Sequence, residues 1–220
     1  MNAREMQLSF EIKIGQFANY DFYRPLQSHE IQDHLNEAQE MVQMNLYSEF
    51  EKTERVRTEL APLIRNALIS TFATGADAHT NGFIASCPTG MMYPILERCN
   101  VVYTDCNSST GTKQIPVLPI THDEYSLNVN NPYLKPHTDL IWRMDLGATG
   151  AYYKRHELIT DGNITLTSYV LRYIKRLTSL DIVSKNTCEL DPSVHDNVVD
   201  QAVRLALNSR PVPKNVEQKQ

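Results

Sequence analysis

The sequence predicts an α+β chain, with N-terminal helices that include one long helix, a mostly antiparallel β region in the middle, and a C-terminal helix followed by a flexible tail. Three observations carry this. Ile31, Leu35, Ala38, Val42, Leu46 and Phe50 recur at three- and four-residue steps, the period of one helix face. Residues 71–131 gather Gly, Pro, Asn, Ser and Thr between short β-branched and aromatic runs, the pattern of strands and turns. Asp191-Pro192 then opens a second amphipathic stretch, with a capping carboxylate followed by a proline suited to the first helical position. The 220 residues suit one composite domain over 1–210: a helical part at 1–66, a β-rich part at 67–190 and a C-terminal helix at 191–209, with residues 211–220 as the tail.

The first helix is expected from Glu5 to Phe17, on the spacing of Met6, Phe10, Ile14 and Phe17, with Gly15 and the aromatic stretch at 18–25 ending it. Ser28 reads as the cap of the long helix, and Glu30 in its first turn faces the positive end of the helix dipole. The pattern is expected to run to Leu60, before Pro62, a length of about 50 Å. Strands are expected at Tyr93–Cys106 and Leu140–Leu146. Ile115–Ile120 reads as an edge strand or crossover because of Pro116 and Pro119. Ala151–Thr160 and Ile164–Leu177 flank Asp161-Gly162-Asn163 and read as a hairpin. The last helix carries Val194, Val198, Ala202 and Leu205 and stops near Asn208; the tail beyond Pro211 has little to bury and is expected to be mobile in the free protein.

Composition and chemistry exclude more than they assign. A formal charge of −5, with 41% hydrophobic and 21% charged residues, suits a soluble globular chain and argues against a nucleic-acid coat. Arg4, Glu5, Glu11 and Lys13 interrupt the apolar start, so no signal peptide is expected, and no run approaches the length of a spanning helix. Cys87, Cys99, Cys106 and Cys188 form no C-x-x-C pair and read as reduced thiols. His29, His34, His79, His122, His137, His156 and His195 fall in no zinc-ligand spacing. Ser108-Ser109-Thr110-Gly111-Thr112-Lys113 lacks the first glycine and the following helix of a phosphate loop. The pairs Lys154-Arg155 and Lys175-Arg176 form at most a small basic patch that the acidic helix offsets. No catalytic, cofactor-binding or metal-ligating set emerges, and no cofactor is expected.

The arrangement of segments is more informative than any single residue. Ala3-Arg4-Glu5-Met6 leads into a helix. Ser28 through Leu35-Asn36-Glu37-Ala38-Gln39-Glu40 follows, reaching Leu60-Ala61-Pro62-Leu63-Ile64. The next segments are Asn131-Pro132-Tyr133-Leu134-Lys135-Pro136 and Cys188-Glu189-Leu190-Asp191-Pro192-Ser193-Val194-His195-Asp196, the latter running into Val198–Val203. In this order the set resembles the virion neck and tail ring proteins of crAss-like tailed bacteriophages.

The resemblance implies a structural role without enzyme activity or cofactor. It implies a closed homo-oligomeric ring, commonly of twelve copies, stacked with the portal protein and other neck and tail rings. DNA would pass through the channel without sequence-specific binding, and no membrane is involved. On this reading the acidic back of the long helix, Glu37, Glu40 and Glu49, faces the channel, and the tail, through Pro211, Val212, Pro213 and Val216, docks on a neighbour. The Gly- and Ser-rich stretches at 75–90 and 107–111 match nothing in the family pattern. Two other readings stay open on the residues alone. One is a small cytosolic hydrolase with a site formed only in the fold; the other is a capsid- or fibre-attachment protein.

Overall fold

A computed structural model describes residues 1–17, 26–75, 78–104, 110–148 and 154–209. They form helices α1 (Ala3–Phe17), α2 (Ser28–Ser48), α3 (Glu54–Leu60), α4 (His122–Asn128) and α5 (His195–Asn208). The strands are β1 (Ile64–Ile69), β2 (Gly82–Ser86), β3 (Met91–Thr104), β4 (Thr110–Pro119), β5 (Ile141–Ala148), β6 (Lys154–Ile159) and β7 (Ile164–Lys175). The chain is α+β, as the sequence predicts. It divides into two compact units: a helical unit of Met1–Leu63 with Leu177–Gln220, and a β unit of Ile64–Arg176.

In the helical unit α5 packs on α1 and α2, and α3 packs on α2. The core takes Ala3, Met6 and Phe10 from α1, Ile31, Leu35, Ala38 and Val42 from α2, and Val198, Val199, Ala202, Val203 and Ala206 from α5. Fully buried Met6 and Phe10 each contribute roughly 1.5–3 kcal/mol by leaving water. Lys13 on α1 ties to Asp200 on α5 at 2.7 Å.

The long helix predicted through Leu60 is two helices. α2 ends at Ser48, and Thr53 starts α3 by accepting the Val56 N–H on its hydroxyl at 3.4 Å. Arg57 donates to the carbonyls of Phe50 and Glu51, each at 3.2 Å, and so satisfies the turn that a helix would otherwise continue through. Gln27, not Ser28, precedes the first turn of α2, and its N–H donates to the Glu30 carboxylate at 2.8 Å.

Residues 177–190 have no regular structure and are held by side-chain amides of α2. Asn36 accepts from the Leu180 N–H at 2.6 Å and donates to the Leu180 carbonyl at 3.2 Å, as a neighbouring strand would. Gln39 donates to the Thr178 carbonyl at 3.1 Å, and Gln32 accepts from the Ile182 N–H at 3.1 Å. Gln32, Asn36 and Gln39 stand at i, i+4 and i+7, one ridge beside the apolar stripe.

The β unit is one seven-stranded sheet in the order β1-β7-β3-β4-β5-β6-β2, antiparallel except for the β4–β5 pair. One core cluster collects inward residues along the whole sheet, among them Ala85, Cys99, Ile115, Ile141, Leu158 and Tyr169. The sheet is therefore curled, and Ala73, just beyond β1, bridges Ile84 in the edge strand at the opposite end.

The hairpin predicted around Asp161-Gly162-Asn163 is an arch instead. β6 and β7 are both strands, but β6 pairs with β5 and β2, while β7 pairs with β1 and β3. The connection crosses the curl, so the strands meet face to face, and His156 Nδ1 lies 2.9 Å from Tyr169 Oη. Gly162 takes φ +83° in this turn, and a Cβ there would come within 2.8 Å of the Asn81 amide. The stretch at 115–120, predicted as an edge strand or a crossover, is an internal strand through Pro119. Pro116 and Pro119 are tolerated because β3 pairs with residues 110–116 and β5 with 117–119, so neither proline has to donate in mid-ladder.

The Asn36 ridge makes a direct prediction. Replacing Asn36 by Ala leaves both backbone groups of Leu180 without a partner and should destabilise the chain by about 1–3 kcal/mol. Urea unfolding of the purified variant measures this, and an unchanged midpoint would remove the ridge's structural role.

Candidate functional site

Strand alternation places Glu97 on β3, Arg143 and Asp145 on β5, His156 on β6 and Tyr169 on β7 toward the inside of the curl. Arg143, His156 and Tyr169 are buried, and the five side chains form one network. The Tyr169 hydroxyl donates to Glu97 Oε1. Its oxygen therefore accepts from His156 Nδ1–H, and the free Nε2 lone pair accepts from Arg143 Nη1 at 3.2 Å. Arg143 Nη1 also reaches Asp145 Oδ1 at 3.0 Å, and its Nε lies 3.4 Å from Glu97 Oε1. The guanidinium faces two carboxylates, although its buried Nε makes no hydrogen bond of its own.

Burial pushes the His156 imidazole down to about 4, with Arg143 adding to it and Asp145 opposing. Burial pushes the Glu97 carboxyl above its ordinary value, against the Tyr169 hydrogen bond and Arg143. The Cys87 thiol beside this network is pushed up to about 12 by burial and then by Glu97, so it stays protonated and is a poor nucleophile. The arrangement holds charges in place and has no activated attacking group. Among the described residues, no group of three or more His, Cys, Asp or Glu could hold a metal ion, and no helix is long and apolar enough to cross a membrane.

On the outer side of β6, Glu157 is fully buried and accepts from the His79 backbone N–H and, at 2.9 Å, pairs with His79 Nδ1. Its carboxylate fills the space a side chain at Gly82 would need, since a Cβ there would fall 2.2 Å from Glu157 Oε1. The Tyr125 ring of α4 lies tilted against His79 at 4.3 Å and meets Trp142 edge-on at 6.1 Å. These contacts seat the excursion between β4 and β5, with a capping box of Thr121 and Glu124 at its start and a 2.6 Å Lys113–Asp139 ion pair near its end.

What the excursion leaves outside is apolar. Leu127 and Tyr133 are 79% and 90% exposed, with Leu134 half exposed beside them. In the helical unit Leu8 and Ile12 form an exposed pair at i, i+4 on α1, on the face opposite Met6 and Phe10, and Ile12 is 64% exposed. Met41 and Met44 are exposed on α2. A groove of about 460 Å³ runs between α2 and α5, with Val42, Leu46 and Val194 among its lining residues.

The sequence-predicted residues separate in the structure. Glu37 and Glu40 lie together on the exposed ridge of α2 with Asp33. Glu49 is also exposed, but it stands past the end of the helix and lines the groove. Pro211, Val212, Pro213 and Val216 lie outside the described residues. The inward network was not legible as a site from the sequence. Its one signal is charge at core parity: Arg143 and Asp145 alternate with Trp142 and Met144, and His156-Glu157 precede Leu158-Ile159.

Among the described residues the chain thus combines a paired polar network inside the sheet with large apolar side chains left exposed. Residues 1–218 match the family described as Phage tail ring protein 3/4, and the chain belongs to that family. Two proteins of Bacteroides phage crAss001 are similar to it. Ring protein 3 is 26% identical over 206 residues, covering 84% of this chain and 86% of that protein. Ring protein 4/5 is 30% identical over 121 residues, covering 48% of this chain and only 49% of that one. The chain is thus a phage structural ring protein and a virion component, in a family of structural proteins rather than enzymes.

The network predicts acid sensitivity. His156 has a lower pKa folded than unfolded, so the unfolded chain binds more protons as the pH drops. Its stability contribution is full above about pH 6.5 and is lost toward pH 4. Glu97, shifted up, works in the opposite sense at the acidic end. His195, also pushed down by burial, adds a similar dependence in the helical unit. The His156 share between pH 7 and 5 is on the order of 2 kcal/mol. Urea unfolding across this range should show a flatter pH slope in His156→Gln than in the wild type, and parallel slopes would contradict the assignment.

Proposed function

We propose that copies of this chain close into a ring of twelve in the phage neck and tail, stacked with other ring proteins and the portal protein, and that the ring extends the channel through which DNA passes. The observation that carries this reading is the family match over residues 1–218. The surfaces support it. A ring closes through head-to-tail contacts, so each copy needs two different faces that complement one another. The Leu127–Tyr133–Leu134 patch in the β unit and the Leu8–Ile12 pair in the helical unit are two such faces, each with large apolar side chains in water. Tyr133 is a suitable anchor, since aromatic residues carry much of the energy at protein interfaces.

On this reading the acidic ridge of Glu37 and Glu40 lines or flanks the lumen, where like charge keeps DNA from adhering. Glu49 is exposed beside the groove and is set apart from that ridge.

Single-particle reconstruction of the neck in purified virions tests the reading: a closed ring of this chain at the portal–tail junction is expected, and density without it would overturn the proposal. Two variants follow. Tyr133→Ala should leave the protomer folded, by circular dichroism, yet weaken ring formation about tenfold or more in sedimentation assays, as loss of an aromatic anchor does. Glu37→Lys with Glu40→Lys should leave ring assembly intact and slow DNA release from particles; release at the wild-type rate would exclude a lumenal ridge.

A further inference from the structure

We infer that His79 links closure of the sheet to the Leu127–Tyr133–Leu134 patch, so that the patch takes its pose for assembly only when the curl is closed. The assembly half of this inference rests on the ring reading above; the link itself does not.

The patch cannot hold its own pose. α4 has seven residues, none of them buried, and a helix that short is marginal in water by itself. Its capping box of Thr121 and Glu124 is internal to the excursion. The ends of the excursion are tied down: the Ile120 N–H donates to the Arg143 carbonyl at 2.9 Å, and Asp139 pairs with Lys113. Between those ends His122 Nε2 lies 3.3 Å from the Asp145 carbonyl, a long and exposed contact. Tyr125 is the side chain of α4 that packs on the Trp142 cluster, with its ring against His79. The apolar patch follows directly in the chain.

His79 is in turn fixed from the sheet. It belongs to the connection between β1 and β2, whose Ala73 exchanges both backbone hydrogen bonds with Ile84, at 2.8 and 2.9 Å, and so closes the curl. Ile84 lies opposite Glu157 in the β2–β6 ladder. The fully buried Glu157 carboxylate accepts the His79 backbone N–H and faces its Nδ1 at 2.9 Å. The His79 carbonyl accepts from the Gly82 N–H at 2.8 Å. Moving the imidazole would strip a buried carboxylate of its partners, so His79 stays in place while β2 stays on β6. A continuous path of contacts thus runs from the Ala73–Ile84 bridge through Gly82 and Glu157 to His79, and on through Tyr125 to α4.

The test is amide hydrogen exchange of the full chain, resolved by residue with NMR. His79→Ala should speed exchange in α4 about twofold to tenfold, the range an aromatic contact supplies, with β5 and β6 unchanged. Tyr125→Ala should do the same, and the double variant should be no faster than Tyr125→Ala alone, because the two rings act as one contact. Tyr125→Phe keeps the ring and should keep wild-type exchange. Ala73→Pro removes the N–H that donates to the Ile84 carbonyl. It should speed exchange at Ile84 and in α4 together, and the α4 effect should vanish when Tyr125→Ala is also present.

Faster exchange at Ile84 with α4 unchanged overturns the link. So do effects of His79→Ala and Tyr125→Ala that multiply, or a His79→Ala effect as large in β6 as in α4, since His79 would then serve the sheet as a whole. For the assembly half, each variant that frees α4 should weaken ring formation up to about tenfold in sedimentation. Freed α4 with wild-type ring formation overturns that half. A wild-type chain that forms no rings overturns the ring reading and leaves the link, measured in the free chain, standing.

Discussion

The guanidinium of Arg143 faces the inside of a curled sheet, and the β unit is organised by the need to keep it paired. A buried cation without partners costs several kcal/mol, so its carboxylates must come from wherever the topology can bring them. Asp145 comes from two residues along the same strand, Glu97 from β3, and His156 with Tyr169 complete the chain of donors from β6 and β7. Those strands are spread over most of the sheet order, so the network can close only if the sheet curls. Hydrophobic burial drives the curl, through a core that runs from Ala85 to Tyr173. The network adds directional bonds that hold one particular curl.

Connections follow from the same demand. The Thr160–Asn163 arch turns β6 back over the core rather than alongside β7, with Gly162 at positive φ and the Thr160 N–H donating to the Asn81 carbonyl at 3.1 Å. That choice sets His156 opposite Tyr169. The helical unit meets a related problem at residues 177–190, which return to it without a strand or helix to satisfy their backbone. Here α2 supplies the missing partners from its own side chains, and Asn36 serves Leu180 as both donor and acceptor. In both units a polar group that would be costly when buried is matched, and the match fixes the path of the chain.

Outside the core, several large apolar side chains remain exposed. Tyr133, Leu127 and Ile12 sit in water at an unfavourable hydration cost that an isolated globular protein has little reason to keep. In the proposed ring, contacts between copies would remove these side chains from solvent. Inside the curl the Cys87 thiol is held protonated by burial, and Arg143 is paired with Glu97 and Asp145.

The sequence by itself determined what depends on neighbours along the chain. The stripes of α1, α2 and α5, the Asp191-Pro192 start, the strand character of residues 141–146 and 164–175 and the order of segments that marks the family are all local or periodic signals. The break at 49–53 was hidden because no glycine or proline marks it; Thr53 and the Arg57 contacts create it from residues that fit a helix equally well. Tertiary structure alone decided the pairing. Alternation in β6 and β7 is identical for strands joined edge to edge and strands folded face to face, since both present every second side chain to one side. Only the competition for partners among seven strands selects the arch. The same selection joins Glu97, Arg143, His156 and Tyr169, which no sequence pattern marks as a set, into one network, while the Thr53 and Arg57 contacts set Glu49 apart from Glu37 and Glu40 across a helix end that periodicity could not reveal.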